Sequence, residues 1–288
     1  MLVNIIVLYS CQRKKKSPPQ YTSTTRRPSG TRVFFALIFS FHLMQIELCV
    51  FSFYSFSEIK NSTRIELCSN YNEGGCTPSI VSFRRIRKIL HNEIYIMIRP
   101  RGGDFHYSDE EFDVMKEEIT WFKENGADGI VLGLLNIDGS IDKKRTSELV
   151  QLAHPLPVTF RRAFDMSADL NQSLEDIIET GCTRILSSGG APNVELGYDK
   201  LVELHEQAKA RIEIMPGGGV AIDNVQQFID AGFNNIHLSA KKLMKSKMQY
   251  RANLSMTANP SISSFDYIGV DFEKLKQFTA YVRENETH

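Results

Sequence analysis

Two short runs, Glu47-Leu48-Cys49 and Arg64-Ile65-Glu66-Leu67-Cys68, each set a carboxylate and a thiol two residues apart. Alternate side chains of a β-strand share a face, so Glu47 and Cys49 point one way while Ile46, Leu48 and Val50 point the other. The second run repeats the division, with Arg64, Glu66 and Cys68 against Ile65 and Leu67. A charged, thiol-bearing face opposite an apolar one fits a sheet closed around a functional interior, with a site at its mouth.

The residue types define two chemistries. Thiols on adjacent strands, about 4.8 Å apart, suit a soft ion such as Cu(I), with Met or His nearby as further donors. Buried free cysteines also serve as small hydrophobes, and Cys76 and Cys182 are read that way. Glu47 and Glu66 cannot stand bare in an interior, where an uncompensated carboxylate costs several kcal/mol. Either they join Arg64, Arg211 and Glu213 in an ion-pair layer, or they act as a general acid and base with separated pKa values. His237 is the only histidine on an inward strand phase and is a candidate proton shuttle or ligand. No zinc-type spacing is present.

A second set of residues points to anions. Arg99-Pro100-Arg101-Gly102-Gly103-Asp104 is a compact cationic loop. It either captures an anion or forms a structural turn in which Asp104 pairs with one arginine. Gly217, Gly218 and Gly219, with Ser239, fall where many α/β barrels hold a phosphate on backbone N–H groups. The alternative function is therefore an enzyme for a small anionic or phosphorylated metabolite. Arg99, Arg101, Arg162 and the glycine loop would hold it while Glu47 or Glu66, with His237, moves protons.

Strand and helix patterns alternate from Met44 onward, the pattern of repeated βα units. Strands are expected near 45–50, 64–68, 94–98, 128–133, 157–160, 184–187, 211–215 and 235–238. Amphipathic stretches lie between them at 79–90, 108–125, 142–153, 173–180, 193–209 and 222–231, with a last helix over 272–284. Eight βα units make a TIM (β/α)8 barrel, a fold that takes about 250 residues. The first unit is expected to be irregular, because 51–63 is rich in Phe, Ser and Tyr and has neither a 3.6 period nor a terminal Gly.

Composition narrows the partners. Lys plus Arg equals Asp plus Glu, 34 each, so no global field favours nucleic acid or an anionic membrane. The five cysteines have no disulfide-scaffold spacing and fit a reducing compartment. Residues 1–43 carry a basic run at Arg13-Lys14-Lys15-Lys16, a Pro pair and a Ser/Thr-rich stretch, and are expected to be a disordered or non-native extension of a 44–288 domain. The apolar run at 33–43 is shorter than the roughly 20 residues that span a bilayer.

The sequence resembles the copper homeostasis protein CutC family. Arg64-Ile-Glu-Leu-Cys-Ser69, Glu73-Gly-Gly-Cys-Thr-Pro-Ser79, Met97-Ile-Arg-Pro-Arg-Gly-Gly-Asp-Phe105, Arg162-Ala-Phe-Asp165 and Met215-Pro-Gly-Gly-Gly219 carry the resemblance. It implies a TIM barrel, a homo-oligomer in a cytoplasmic or nuclear setting, and Cu(I) bound where Cys49 and Cys68 match the family's proposed cysteine ligands. Two departures touch that site. Arg161 replaces the His of the family's Thr-Phe-His-Arg-Ala-Phe-Asp pattern, exchanging an imidazole for a permanent cation. The segment 51–63 replaces a helix that usually opens with Asp-Ser and ends in Gly-Gly-Ala-Asp.

Overall fold

The computed structural model describes residues 44–50, 64–254, 263 and 265–285. The expected extension, 1–43, and the expected irregular segment, 51–63, lie outside the described residues.

Eight parallel strands form the barrel: β1 Gln45–Val50, β2 Arg64–Leu67, β3 Glu93–Met97, β4 Gly129–Leu132, β5 Val158–Phe160, β6 Arg184–Ser187, β7 Glu213–Pro216 and β8 Asn235–Leu238. Their order is β7-β6-β5-β4-β3-β2-β1-β8, and a parallel bridge between Gly217 and His237 spans the remaining seam. The helices are α1 Ile80–Arg87, α2 Asp109–Glu124, α3 Lys143–Ala153, α4 Leu170–Thr180, α5 Tyr198–Ala208, α6 Ile222–Asp230 and α7 Phe272–Asn285. This is the TIM barrel expected from the alternation of patterns. None of the described helices is long and apolar enough to cross a membrane.

Local chemistry sets the helix ends. Ser108 caps α2 by accepting from the Glu111 amide at 3.2 Å, while the Glu111 carboxylate accepts from the Ser108 amide at 2.9 Å. Asp142 and Asp169 cap α3 and α4 in the same sense. Gly181 closes α4 at φ 85°, a left-handed position where a side chain would be strained.

The alternation within β1 and β2 sorts the two sides of the barrel wall. Ile46, Leu48, Val50, Ile65 and Leu67 join Phe83 and Ile86 of α1 in the main apolar core. Each fully buried Leu, Ile or Phe there contributes about 1.5–3 kcal/mol. The opposite phase is polar, and at the amino end of the strands it is closed by ion pairs. Arg64 Nε lies 2.5 Å from Glu47 Oε2, and Arg64 Nη2 donates to Asn235 Oδ1 at 2.8 Å. Arg184 pairs with Glu213 at 2.8 Å and donates to Thr159 Oγ1 at 3.1 Å. Arg211, expected in this layer, lies outside it. β7 begins two residues later than the sequence pattern implied, and Arg211 pairs with Glu175 on the helical surface at 2.6 Å.

A hairpin absent from the sequence reading follows the eighth strand. β9 Lys241–Met244 pairs antiparallel with β10 Tyr267–Val270. Lys-Lys-Leu-Met lacks the polar and apolar alternation that would have marked it.

Candidate metal centre

The carboxyl ends of β1, β2 and β8 converge on one buried cluster. Cys49 lies opposite Glu66 in the β1–β2 register, and the Cys68 amide donates to the Val50 carbonyl at 3.1 Å. This stagger brings the Cys49 and Cys68 sulfurs to 3.4 Å. One ligand atom from each of Cys49, Glu66 and Cys68 lies within 4.8 Å of the others, and the same holds for Glu47, Glu66 and His237. Glu66 is therefore common to a thiol set above and an acid/base set below. Tyr95, Met97 and Val131 pack around the two cysteines and complete a small buried cluster.

Electrostatics divides the charges. Glu66 Oε2 lies 2.9 Å from His237 Nε2, with both side chains buried. Burial alone would raise the Glu66 carboxyl, but the charge and hydrogen bond of His237, a bond from Cys49 and the charge of Arg161 outweigh it and hold Glu66 below its ordinary value. Burial would likewise lower His237, yet Glu66 and Cys49 drive it well above the ordinary imidazole value. The pair is an imidazolium on a carboxylate. Burial, reinforced by Cys68 and Glu66, pushes the Cys49 thiol well up, and burial also raises Cys68. Both sulfurs are protonated at neutral pH, and a metal must displace those protons to bind.

Arg161 directly follows β5. Its guanidinium donates to the Gly74 and Gly75 carbonyls, and it also lies over the Phe105 ring at 5.3 Å. Gly74 and Gly75 have φ of 76° and 94°, and a Cβ on Gly75 would sit 3.7 Å from the Cys68 sulfur. The Gly-Gly pair thus turns its carbonyls toward arginine while leaving the sulfur room. The Arg161 charge lowers both Glu66 and Cys68 against the larger effect of burial on each.

The structure separates the candidates for the anion site. Arg99 is buried and spends its guanidinium on the carbonyls of Glu73, Gly75 and Gly103. Arg101 pairs with Glu111 at 2.6 Å and with Asp104 at 3.0 Å near the surface. Neither lines the barrel mouth. Arg162, Gly218, Gly219 and Ser239 do, around a cavity of about 990 Å³ that also touches Cys49, Glu66 and His237. Gly217 lies behind it, where a Cβ would come 2.5 Å from Leu186 and 2.9 Å from His237. Glu47 is fully buried one layer lower, on Arg64. Asp165 joins the β5 and β6 ends by accepting from Arg162 Nε at 2.7 Å, Ser187 Oγ at 2.6 Å and the Ser188 amide at 3.0 Å.

The lining also includes polar residues that the sequence did not mark, among them Tyr71, Asn193 and Lys241. Tyr71 opens a one-turn 3-10 helix and Asn193 sits in a loop, each without a motif of its own. Lys241 reaches the mouth because the unanticipated hairpin folds back, placing its ammonium on the Tyr71 hydroxyl.

Comparison with known proteins places the chain. The sequence profile described as the CutC family matches residues 44–242. A human protein named "Copper homeostasis protein cutC homolog" is 40% identical over 242 residues, covering 83% of this chain and 89% of its own. A Chromobacterium violaceum CutC family protein is 46% identical over 189 residues, 65% of this chain and 76% of that one. The crystal structure of the putative copper homeostasis protein CutC from Streptococcus agalactiae superposes with a TM-score of 0.64 at 33% identity, covering 67% of this chain and 97% of that one. By profile, sequence and fold alike, the chain belongs to the CutC family.

Proposed function

We propose that this chain serves copper homeostasis by holding Cu(I) between Cys49 and Cys68. The observation that carries the reading is the 3.4 Å approach of two buried sulfurs beside Glu66. Thiolates select Cu(I) over hard cations by softness. Glu66 Oε1 is buried beside the thiols without a hydrogen-bond partner among the described residues. The function resides in 44–288, and a homo-oligomer in the cytoplasm or nucleus completes the reading.

An anaerobic competition titration of the full chain with Cu(I) tests it. About one ion per chain is expected, lost in the Cys49→Ser, Cys68→Ser double variant. Equal affinity in that variant sinks the proposal.

The Glu66–His237 pair in the mouth of a cavity of about 990 Å³ favours one second reading, an enzyme for a small anionic metabolite. Arg162, Gly218, Gly219 and Ser239 would hold the anion and the pair would move protons. Thermal stabilisation by sugar phosphates, together with turnover that needs Glu66, would favour it over copper storage.

A further inference from the structure

We propose that the cavity over the thiol pair receives copper as an anionic complex, Cu(I) carried by a small thiol bearing carboxylates, rather than as a bare ion. The inference rests on the copper reading and names the form in which the ion arrives.

Access is the first argument. Cys49 lines the cavity and Cys68 does not, so an incoming ion meets the Cys49 sulfur first. Size is the second. A cavity of about 990 Å³ stands at the upper end of small-molecule sites, whereas a water molecule occupies about 30 Å³. An ion alone leaves almost all of it unused.

Charge decides between the two forms. Apart from the Glu66–His237 pair, the charged groups of the lining are Arg161, Arg162 and Lys241. Asp165 sits behind Arg162, and cations still outnumber carboxylates when it is counted. This wall disfavours the approach of a free cation and favours an anion. Its donors are also placed for one. Arg162 Nη1 has no hydrogen-bond partner among the described residues and lies so close over Gly218 that a Cβ there would be 3.1 Å away. The adjacent Gly219 amide likewise donates to no described residue. A carboxylate fits between a guanidinium edge and a backbone N–H.

Transfer is then ligand exchange. A copper–sulfur bond to the carrier breaks as one to Cys49 forms, and the Cys49 thiol proton leaves on the departing carrier sulfur as a free thiol. A second exchange replaces the remaining copper–carrier bond with one to Cys68, whose thiol proton leaves on that carrier sulfur. Copper remains Cu(I) throughout, and no oxidant or reductant is needed.

Stopped-flow loading of the metal-free full chain tests this, with Cu(I)–glutathione as the anionic donor and Cu(I)–cysteamine as the cationic one. Glutathione is expected to load faster by about tenfold or more at low salt, with the gap closing as salt is added. Lys241→Glu should erase most of the preference. Lys241 is exposed on the hairpin, so this variant spares the buried links that Arg162 makes. S-methylglutathione, whose sulfur is blocked as a thiolate, should raise the melting temperature of the metal-free protein but not of Lys241→Glu. Equal rates from both donors, or a preference untouched by Lys241→Glu, overturn the inference. Failure of both donors to load intact Cys49 and Cys68 overturns the copper reading itself and the carrier with it.

Discussion

His237 Nε2 and Glu66 Oε2 meet at 2.9 Å inside the barrel, beside the seam that Gly217 and His237 bridge. The pair links β2 to β8 across β1, so its charge state bears on the packing of these three strands as well as on the site. Its pH dependence has a definite sign. Glu66 is depressed from 4.5, so its contribution is present above 4.5 and lost as pH falls through the lower folded value. His237 is raised from 6.5, so its contribution is complete below 6.5 and lost as pH rises through the higher folded value. Stability from the pair is therefore greatest between 4.5 and 6.5. Denaturant unfolding across pH should show a decline above 6.5 that is absent in His237→Gln. A decline that persists unchanged in that variant assigns it to other groups.

Cys182 predicts a separate alkaline loss. Burial pushes its thiol from 9.0 up to about 12, with Thr180 pulling slightly the other way. The unfolded chain ionises first, so the contribution is whole below 9.0 and disappears between there and about 12. Cys182→Ala should flatten this limb of the stability profile while leaving Cu(I) affinity unchanged, since Cys182 belongs to the outer apolar core and not to the thiol cluster.

Glu47 and Arg64 separate structural from chemical carboxylates. Glu47→Gln leaves the buried Arg64 guanidinium with only the half-exposed Glu93 at 3.9 Å and should cost about 3 kcal/mol of stability. A Glu47→Leu, Arg64→Met double variant should recover most of that loss. Cu(I) binding should survive in both, because Glu47 lies below the cavity floor. Loss of copper affinity in a folded Glu47→Gln protein would place Glu47 in the site.

Much of this architecture could be read from the chain because β1 and β2 alternate so sharply. Glu47, Cys49, Arg64, Glu66 and Cys68 do share the interior phase, and α2 and α4 end where their amphipathic patterns end. The site was legible as a set of inward residues but not as a partition among them. Whether a glutamate meets arginine or histidine depends on the stagger between strands, and composition does not encode stagger. Arg99 and Arg101 illustrate the limit from the other side. Both follow a strand end, yet one turns back to bind loop carbonyls and the other reaches Glu111 on α2. Lys241 escaped notice because long-range pairing with β10 makes its hairpin.

Arg161→His restores the residue of the family pattern and measures what this chain gained by departing from it. Arginine supplies two things here: hydrogen bonds to the Gly74 and Gly75 carbonyls and a fixed positive charge toward Cys68 and Glu66. Histidine loses the reach for the first and, when neutral, the second. Cys68 then deprotonates less readily, and Cu(I) affinity at neutral pH should fall by about tenfold, the usual cost of losing a group that supports a ligand. The deficit should shrink as pH drops and the introduced imidazole becomes charged, which a titration at two pH values would show. An affinity that instead rises in Arg161→His identifies the imidazole as a third ligand. It would also mark the native arginine as a change that weakened the metal centre.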